Sequence, residues 1–217
     1  MKNNVLYYSV GPLLYCPANR ISITDSLINE RFGNRFSLAL CLEDTINDDH
    51  VEEAEQILIS SLSQIFIQHE QKPFYLPKMF IRVRNPQQIQ RLTKALGQSI
   101  KIVTGFIVPK FSPDNAQSYI EQMILVNELV AKKLYMMPIY ESPSIIDLRN
   151  RIDILYLLRD SLARIEDLIL NIRVGGNDLC HMFGFRRHAN ESIHSIRPVS
   201  DIFSDIITVY GLSLIHI

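Results

Sequence analysis

A chain of 217 residues with 47% hydrophobic content is long enough to bury one sizeable core. Its net charge of −1 supplies no basic field for nucleic acid or an anionic membrane surface, and its apolar runs are broken by charge well short of the roughly 18 residues a membrane span needs. Three widely spaced cysteines (Cys16, Cys41 and Cys180) argue against a disulfide framework or a zinc knuckle, and MKNNVLYYSVGPLLYCPANR lacks a signal-peptide layout, so the chain reads as a reduced, cytoplasmic protein.

In chain order, residues 13–17 form a short apolar run followed by loop chemistry in PANR, and residues 21–32 can form a helix opened by Ser22 or Thr24. Residues 36–42 (FSLALCL) are a continuous apolar run of the kind found in strands buried on both faces. This run ends at Glu43 and Asp44, and Asn47-Asp48-Asp49 then starts a helix over 51–69. The cycle repeats with a strand over 79–83, a helix over 87–96 stopped by Gly97, a strand over 100–108 and a helix over 113–133. A strand over 134–140 ends at Glu141, a long helix spans 145–166, a strand covers 168–174, and a last helix covers 199–210.

Six strand–helix alternations without a linker call for a single α/β domain over 1–217 built on a parallel sheet. Polar residues gather where the strands end: Asn19 and Arg20, Glu43 and Asp44, Arg82 and Arg84, Lys110, Glu141 and Asp178. That is the face on which barrels and open α/β sheets alike place their chemistry. No GxGxxG or P-loop follows the first strand, which counts against dinucleotide or NTP sites of those types. The expected architecture is a TIM (β/α)8-type barrel with six of its units visible. GLSLIHI (211–217) stands where a seventh strand would start, so the barrel is expected to be incomplete at the C-terminus.

The residues alone leave several alternatives open. Asp178 follows a Gly175-Gly176 turn that lets the backbone approach a ligand, and it reads as either a metal ligand or a helix cap. Arg82 and Arg84 read as anion binders or as ion-pair partners of Glu43 and Asp44, and Lys110 as a rim charge or a solvated loop residue. Cys180 and His181 invite a metal or nucleophile reading, against which a small buried thiol and a capping histidine are the favoured one. Arg186, Arg187 and His188 read as a solvated basic turn or as a contact for an anionic group.

The strand-end segments LLYCPANR (13–20), LCLEDT (40–45), FIRVRNP (80–86), IVPK (107–110), PIYESPSIID (138–147) and RVGGNDLCHMFG (173–184) span nearly the whole chain. Taken in this order, the chain resembles the citrate-lyase β-subunit and malyl-CoA lyase superfamily of TIM-barrel carbon–carbon bond lyases. Within it, GGNDLC and FGFRR resemble the lyase-like family encoded beside tellurite-resistance stress operons. The resemblance implies a Mg²⁺-dependent lyase or aldolase that acts through a metal-stabilised enolate on a 2-oxo acid, a β-hydroxy acid or an acyl-CoA-like substrate.

Position by position, the resemblance makes Glu141 and Asp178 the Mg²⁺ ligands and Arg82 the group that binds the substrate carboxylate or carbonyl, with Arg84 as an alternative on the same strand face. Glu43 and Asp44 match an acidic pair that orients water or neighbouring groups, completing a catalytic set with Arg82. Lys110 adds charge at the rim, and Gly175 and Gly176 make room for a metal-bound ligand. Pro17, Asn19 and Arg20 match a segment near the CoA phosphates, although PANR lacks the glycine usual in CoA-using members. A homo-oligomer is implied for a full-length parent. A different class of function, a non-catalytic binding component of a stress-operon assembly, stands as the alternative.

Overall fold

The computed structural model describes residues 5–211. A short helix α1 (Val5–Tyr8) leads into strand β1 (Leu13–Pro17), helix α2 (Ser22–Ile28) and strand β2 (Ser37–Cys41). Then come α3 (Val51–Gln71), β3 (Lys78–Arg82), α4 (Pro86–Leu96), β4 (Val103–Val108), α5 (Pro113–Leu129), β5 (Tyr135–Tyr140) and α6 (Arg151–Ala163). Strand β6 (Arg173–Val174) is followed by α7 (Gly176–Met182) and α8 (Arg197–Gly211). The expected seventh strand falls on residues 212–217, outside the described residues.

All six strands are parallel, and they lie side by side in sequence order. An order that never reverses has no switch point of the doubly wound kind. The helices pack in one large cluster against a single face of the sheet, through strand residues such as Leu38, Leu40, Met79, Ile81, Phe106 and Met136. The opposite face forms a second cluster from Ala39, Phe80, Ile107, Met137, Ile139 and Leu170. A helix layer outside and an apolar lumen inside is barrel geometry, and among the described residues it is an open arc of six units, as expected.

The N-terminal segment closes one end of this lumen. Val10 is buried in the inner cluster, with Leu6 and Tyr7 packed beside it, and the Ser37 hydroxyl donates to the Val10 carbonyl at 2.6 Å. The strand C-termini open at the other end.

Local chemistry sets the element bounds. Asn85 caps α4 by accepting from the Gln88 N–H at 3.0 Å, and Pro86 occupies the first helical turn, where its missing N–H costs nothing. Gly97, at φ +51°, ends α4. A 3₁₀ turn then takes Gly97–Ile102, so β4 begins at Val103 rather than at residue 100.

The helix expected over 145–166 is shorter. Arg151 is buried, and its guanidinium donates to the Ile145 and Ile146 carbonyls at 2.7 and 3.0 Å. With those acceptors taken, the chain makes a 3₁₀ turn at Pro143–Ile145 and starts α6 at Arg151.

The strand expected over 168–174 is regular only at its end. Ile169 bridges Met136, yet Arg173 pairs with Ile139, so the second strand carries one residue more than the first across that interval. Such a bulge breaks the alternation on which a sequence reading relies.

Candidate active site

The open end of the lumen carries charge on the same strands whose other end is apolar. Arg82, at the end of β3, is in register with Cys41 and with Ile107 of the inner cluster, and it therefore points inward. Its Nη2 meets Glu43 Oε2 at 2.7 Å, Asp44 Oδ2 at 2.8 Å and Glu141 Oε1 at 3.4 Å. Glu43, Arg82 and Glu141 are buried and Asp44 is exposed. Burial opposes the Arg82 charge, but the surrounding carboxylates outweigh it and push its pKa above the ordinary arginine value. Partial burial likewise opposes ionisation of Asp44. Its hydrogen bonding with Glu43 and the charges of Arg82 and Lys110 prevail, holding its carboxyl below the ordinary value.

Lys110 contributes at two points. Its ammonium reaches Glu43 Oε1 at 2.6 Å and Asp44 Oδ1 at 3.5 Å, and its backbone N–H donates to Glu141 Oε1 at 3.1 Å. The residue has φ +49°, a left-handed conformation that costs a side-chain-bearing residue energy and recurs at functional sites.

Glu141 joins the cluster to Asp178. Burial, followed by a hydrogen bond with Asp178, raises the Glu141 carboxyl from 4.5 to about 7, against the opposing pull of Arg82 and the Lys110 N–H. Asp178 lies in the first turn of α7, and no side chain caps that helix; the carboxyl turns to Glu141 instead. Gly175 makes the approach possible. A Cβ there would lie 2.1 Å from Glu141 Oε2 and 2.6 Å from its Cβ, so any side chain at 175 collides with Glu141.

The two glycines therefore act differently from the expectation that both make room for a bound ligand. Gly175 makes room for Glu141, whereas Gly176 packs toward Ile193 and Phe203, away from the carboxylates. Arg84 also differs from the substrate-facing alternative. It donates to the carbonyls of Leu42 at 2.7 Å and Glu43 at 3.1 Å, also to that of Ile46, and pairs with Asp48. It braces the loop that presents Glu43 and Asp44. Asn19 and Arg20 are exposed on the loop after β1, where Arg20 Nε donates to Ser22 Oγ at 3.2 Å.

Sequence reasoning missed Tyr15 and Arg173. The Tyr15 ring lies 5.9 Å from the Arg82 guanidinium carbon, within cation–π range. Arg173 takes its place through the bulge in β6, which no simple alternation reveals.

The donor set fits Mg²⁺. Two carboxyl groups converge, and one of them is a buried group that holds its proton near neutrality, where a cation would replace that proton. Among the described residues no three or more His, Cys, Asp or Glu side chains are grouped as a metal site. Two carboxylates with water and substrate oxygens are the usual Mg²⁺ complement. A cleft of about 340 Å³ lined by Glu43, Asp44, Arg84 and Lys110 opens beside the cluster. A larger cavity of about 610 Å³ lies between Gly97 and Ala131, where no carboxylate lines it, so residue chemistry rather than size marks the site.

Among the described residues no helix is long and apolar enough to cross a membrane. A family described as C-C bond lyase of the TIM-barrel fold matches residues 4–214. The citrate lyase beta subunit of Mycobacterium tuberculosis, solved in complex with oxaloacetate and magnesium, is 16% identical with a TM-score of 0.53, over 96% of this chain and 77% of that one. RipC from Yersinia pestis is 15% identical with a TM-score of 0.57, over 96% of this chain and 74% of that one. CitE from M. tuberculosis with magnesium, acetoacetate and coenzyme A is 16% identical with a TM-score of 0.52, over 94% and 62%. At such identities the likeness is one of fold. No curated protein matches the sequence.

Proposed function

The chain belongs to the carbon–carbon bond lyase family of the TIM-barrel fold, and from that premise we propose that it is a Mg²⁺-dependent lyase or aldolase for a 2-oxo or β-hydroxy acid substrate. The observation that carries this reading is the meeting of Glu141 with Asp178 at the lumen mouth, made possible by Gly175. Structures of the same fold captured with magnesium and oxaloacetate, pyruvate or acetoacetate support a small oxo acid as the ligand.

Glu141 and Asp178 would hold the cation. When bound, Mg²⁺ supplies Lewis-acid polarisation of a carbonyl oxygen beside the bond that breaks. The residues of the chain do the rest. Arg82 and the Lys110 N–H hold Glu141 Oε1 from two sides and fix the direction of its other oxygen. Glu43 is pinned between Arg82 and the Lys110 ammonium, and it accepts from the Asp44 N–H at 3.0 Å, which orients the exposed Asp44 carboxylate at the rim. Asp44, kept ionised, acts as an acceptor that orients water. The reaction class is aldol-type cleavage: the β-hydroxyl loses its proton and becomes a carbonyl, the carbon–carbon bond breaks, and its electron pair passes to the neighbouring carbon as an enolate.

The test is an assay of the 217-residue protein for release of oxaloacetate, pyruvate or glyoxylate from β-hydroxy acid donors. Turnover is expected to need Mg²⁺ and to fall by at least about 100-fold in Asp178→Asn, since loss of a ligand removes the polarising ion. Turnover unchanged by chelation of divalent ions would overturn the reading.

A further inference from the structure

The mouth of the lumen carries a cation that the carboxylate cluster leaves unused. Arg173 pairs with Ile139, a member of the inner cluster, and residues paired across a parallel sheet point to the same face, so Arg173 points into the lumen. Its neighbour Ile172 packs instead in the outer core against the helices. The one-residue bulge between Ile169 and Arg173 makes this exchange. Without it, Ile172 would stand opposite Ile139 and the mouth would be apolar there.

Arg173 is half-buried, and among the described residues it has no ion pair and no side-chain hydrogen bond. Arg82 differs in kind, since it already faces Glu43, Asp44 and Glu141. A second group shares the space with Arg173. Tyr15 is in register with Ala39 of the inner cluster and so also faces the lumen. Tyr15 stands on the edge strand β1 and Arg173 on the edge strand β6, and the Tyr15 ring lies 5.9 Å from the guanidinium carbon of Arg82. Arg82 Nη2 is 3.4 Å from Glu141 Oε1, and Gly175, two residues beyond Arg173, lies against Glu141, which sets both groups beside the carboxylate pair. A planar guanidinium fork with a hydroxyl donor suits a carboxylate.

We propose that Arg173, assisted by the Tyr15 hydroxyl, binds a second anionic group of the substrate, at the end remote from the oxo acid head held near Glu141 and Asp178, so that the site selects 2-oxo dicarboxylates over 2-oxo monocarboxylates. This deepens the lyase reading and rests on it. Arg82 is a holder of the carboxylate cluster in this scheme, and Arg173 takes the free end of the substrate.

The experiment is calorimetric binding of oxaloacetate and of 2-oxobutanoate, two four-carbon 2-oxo acids that differ by one carboxylate, to the full chain with Mg²⁺ present. The wild-type protein is expected to prefer oxaloacetate by about tenfold or more, the size of one charge-assisted contact. In Arg173→Gln that preference should fall to about one while 2-oxobutanoate binds as before. Arg173→Lys should restore part of the preference, and Tyr15→Phe should reduce it by about two- to threefold. A merely structural role would weaken both ligands together.

A preference that survives in Arg173→Gln overturns the inference, as does equal loss of both ligands. Inorganic phosphate that competes with oxaloacetate in the wild type but not in Arg173→Gln would assign the group to phosphorylated substrates and overturn the dicarboxylate assignment. If neither oxo acid binds in a Mg²⁺-dependent way, the lyase reading fails and takes this inference with it. Metal-dependent binding of both without a preference sinks only the role of Arg173.

Discussion

The two ends of the lumen are built from the same strands and behave as opposites. On β3, Phe80 lies in the sealed inner cluster and Arg82, two residues on, faces three carboxylates. On β5, Met137 and Ile139 are inner core, while Glu141 next on that face carries a displaced pKa. The closed end, plugged by Leu6, Tyr7 and Val10, gains its stability from apolar burial. The open end holds buried charges that stabilise only while each has its partners. A stepwise advance along one strand face thus moves from fold maintenance to chemistry, which is why substitutions at the two ends should separate stability from ligand binding.

The largest expected effect belongs to the closed end. Phe80→Ala removes a fully buried ring and should lower the unfolding free energy by about 3–5 kcal/mol in denaturant titrations, with Mg²⁺ affinity of the folded fraction unchanged. Comparable loss of metal affinity would break the separation. At the open end, Gly175→Ala places a Cβ against Glu141 Oε2 and should cost about 1–3 kcal/mol of stability, with a fall in Mg²⁺ affinity of about tenfold or more. Normal affinity in that variant would mean that Glu141 has another rotamer in which to bind.

The smallest effect is the pH response of the metal-free protein. Burial, then the hydrogen bond with Asp178, raises the Glu141 carboxyl from 4.5 to about 7, so the folded state holds that proton more tightly than the unfolded chain. The corresponding stability is fully present below about pH 4.5 and is lost as pH rises through about 7. Mg²⁺ affinity should run the other way, falling as pH drops through about 7, because the ligand must be deprotonated. Glu141→Gln should flatten the stability response, and an unaltered pH profile in that variant would place the titration elsewhere.

Much of this contrast is legible in the sequence. Apolar runs bounded by charged residues mark the strands, and β1 begins and ends at Leu13 and Pro17 as the run itself does. The clustering of Glu43, Asp44, Arg82, Lys110, Glu141 and Asp178 follows from one rule, that parallel strands point their C-termini the same way. What the residue order does not carry is direction. Arg82 and Arg84 share a strand face by parity, but Arg84 lies beyond the end of β3 and turns to the Leu42–Ile46 carbonyls. Gly175 and Gly176 are identical in letter, and only the fold sets one against Glu141 and the other against Ile193. Arg173 is hidden for the same kind of reason, since a single extra residue in the strand reverses which side chain faces the lumen.

The central claim is that Glu141 and Asp178 together form a divalent cation site at the open end. Its most direct test is calorimetric titration of Mg²⁺ into the wild-type protein, Glu141→Gln and Asp178→Asn, each checked for an unchanged fold by circular dichroism. One ion per chain should bind the wild type, and each variant should weaken binding by at least about tenfold. Equal Mg²⁺ affinity in all three proteins would contradict the account.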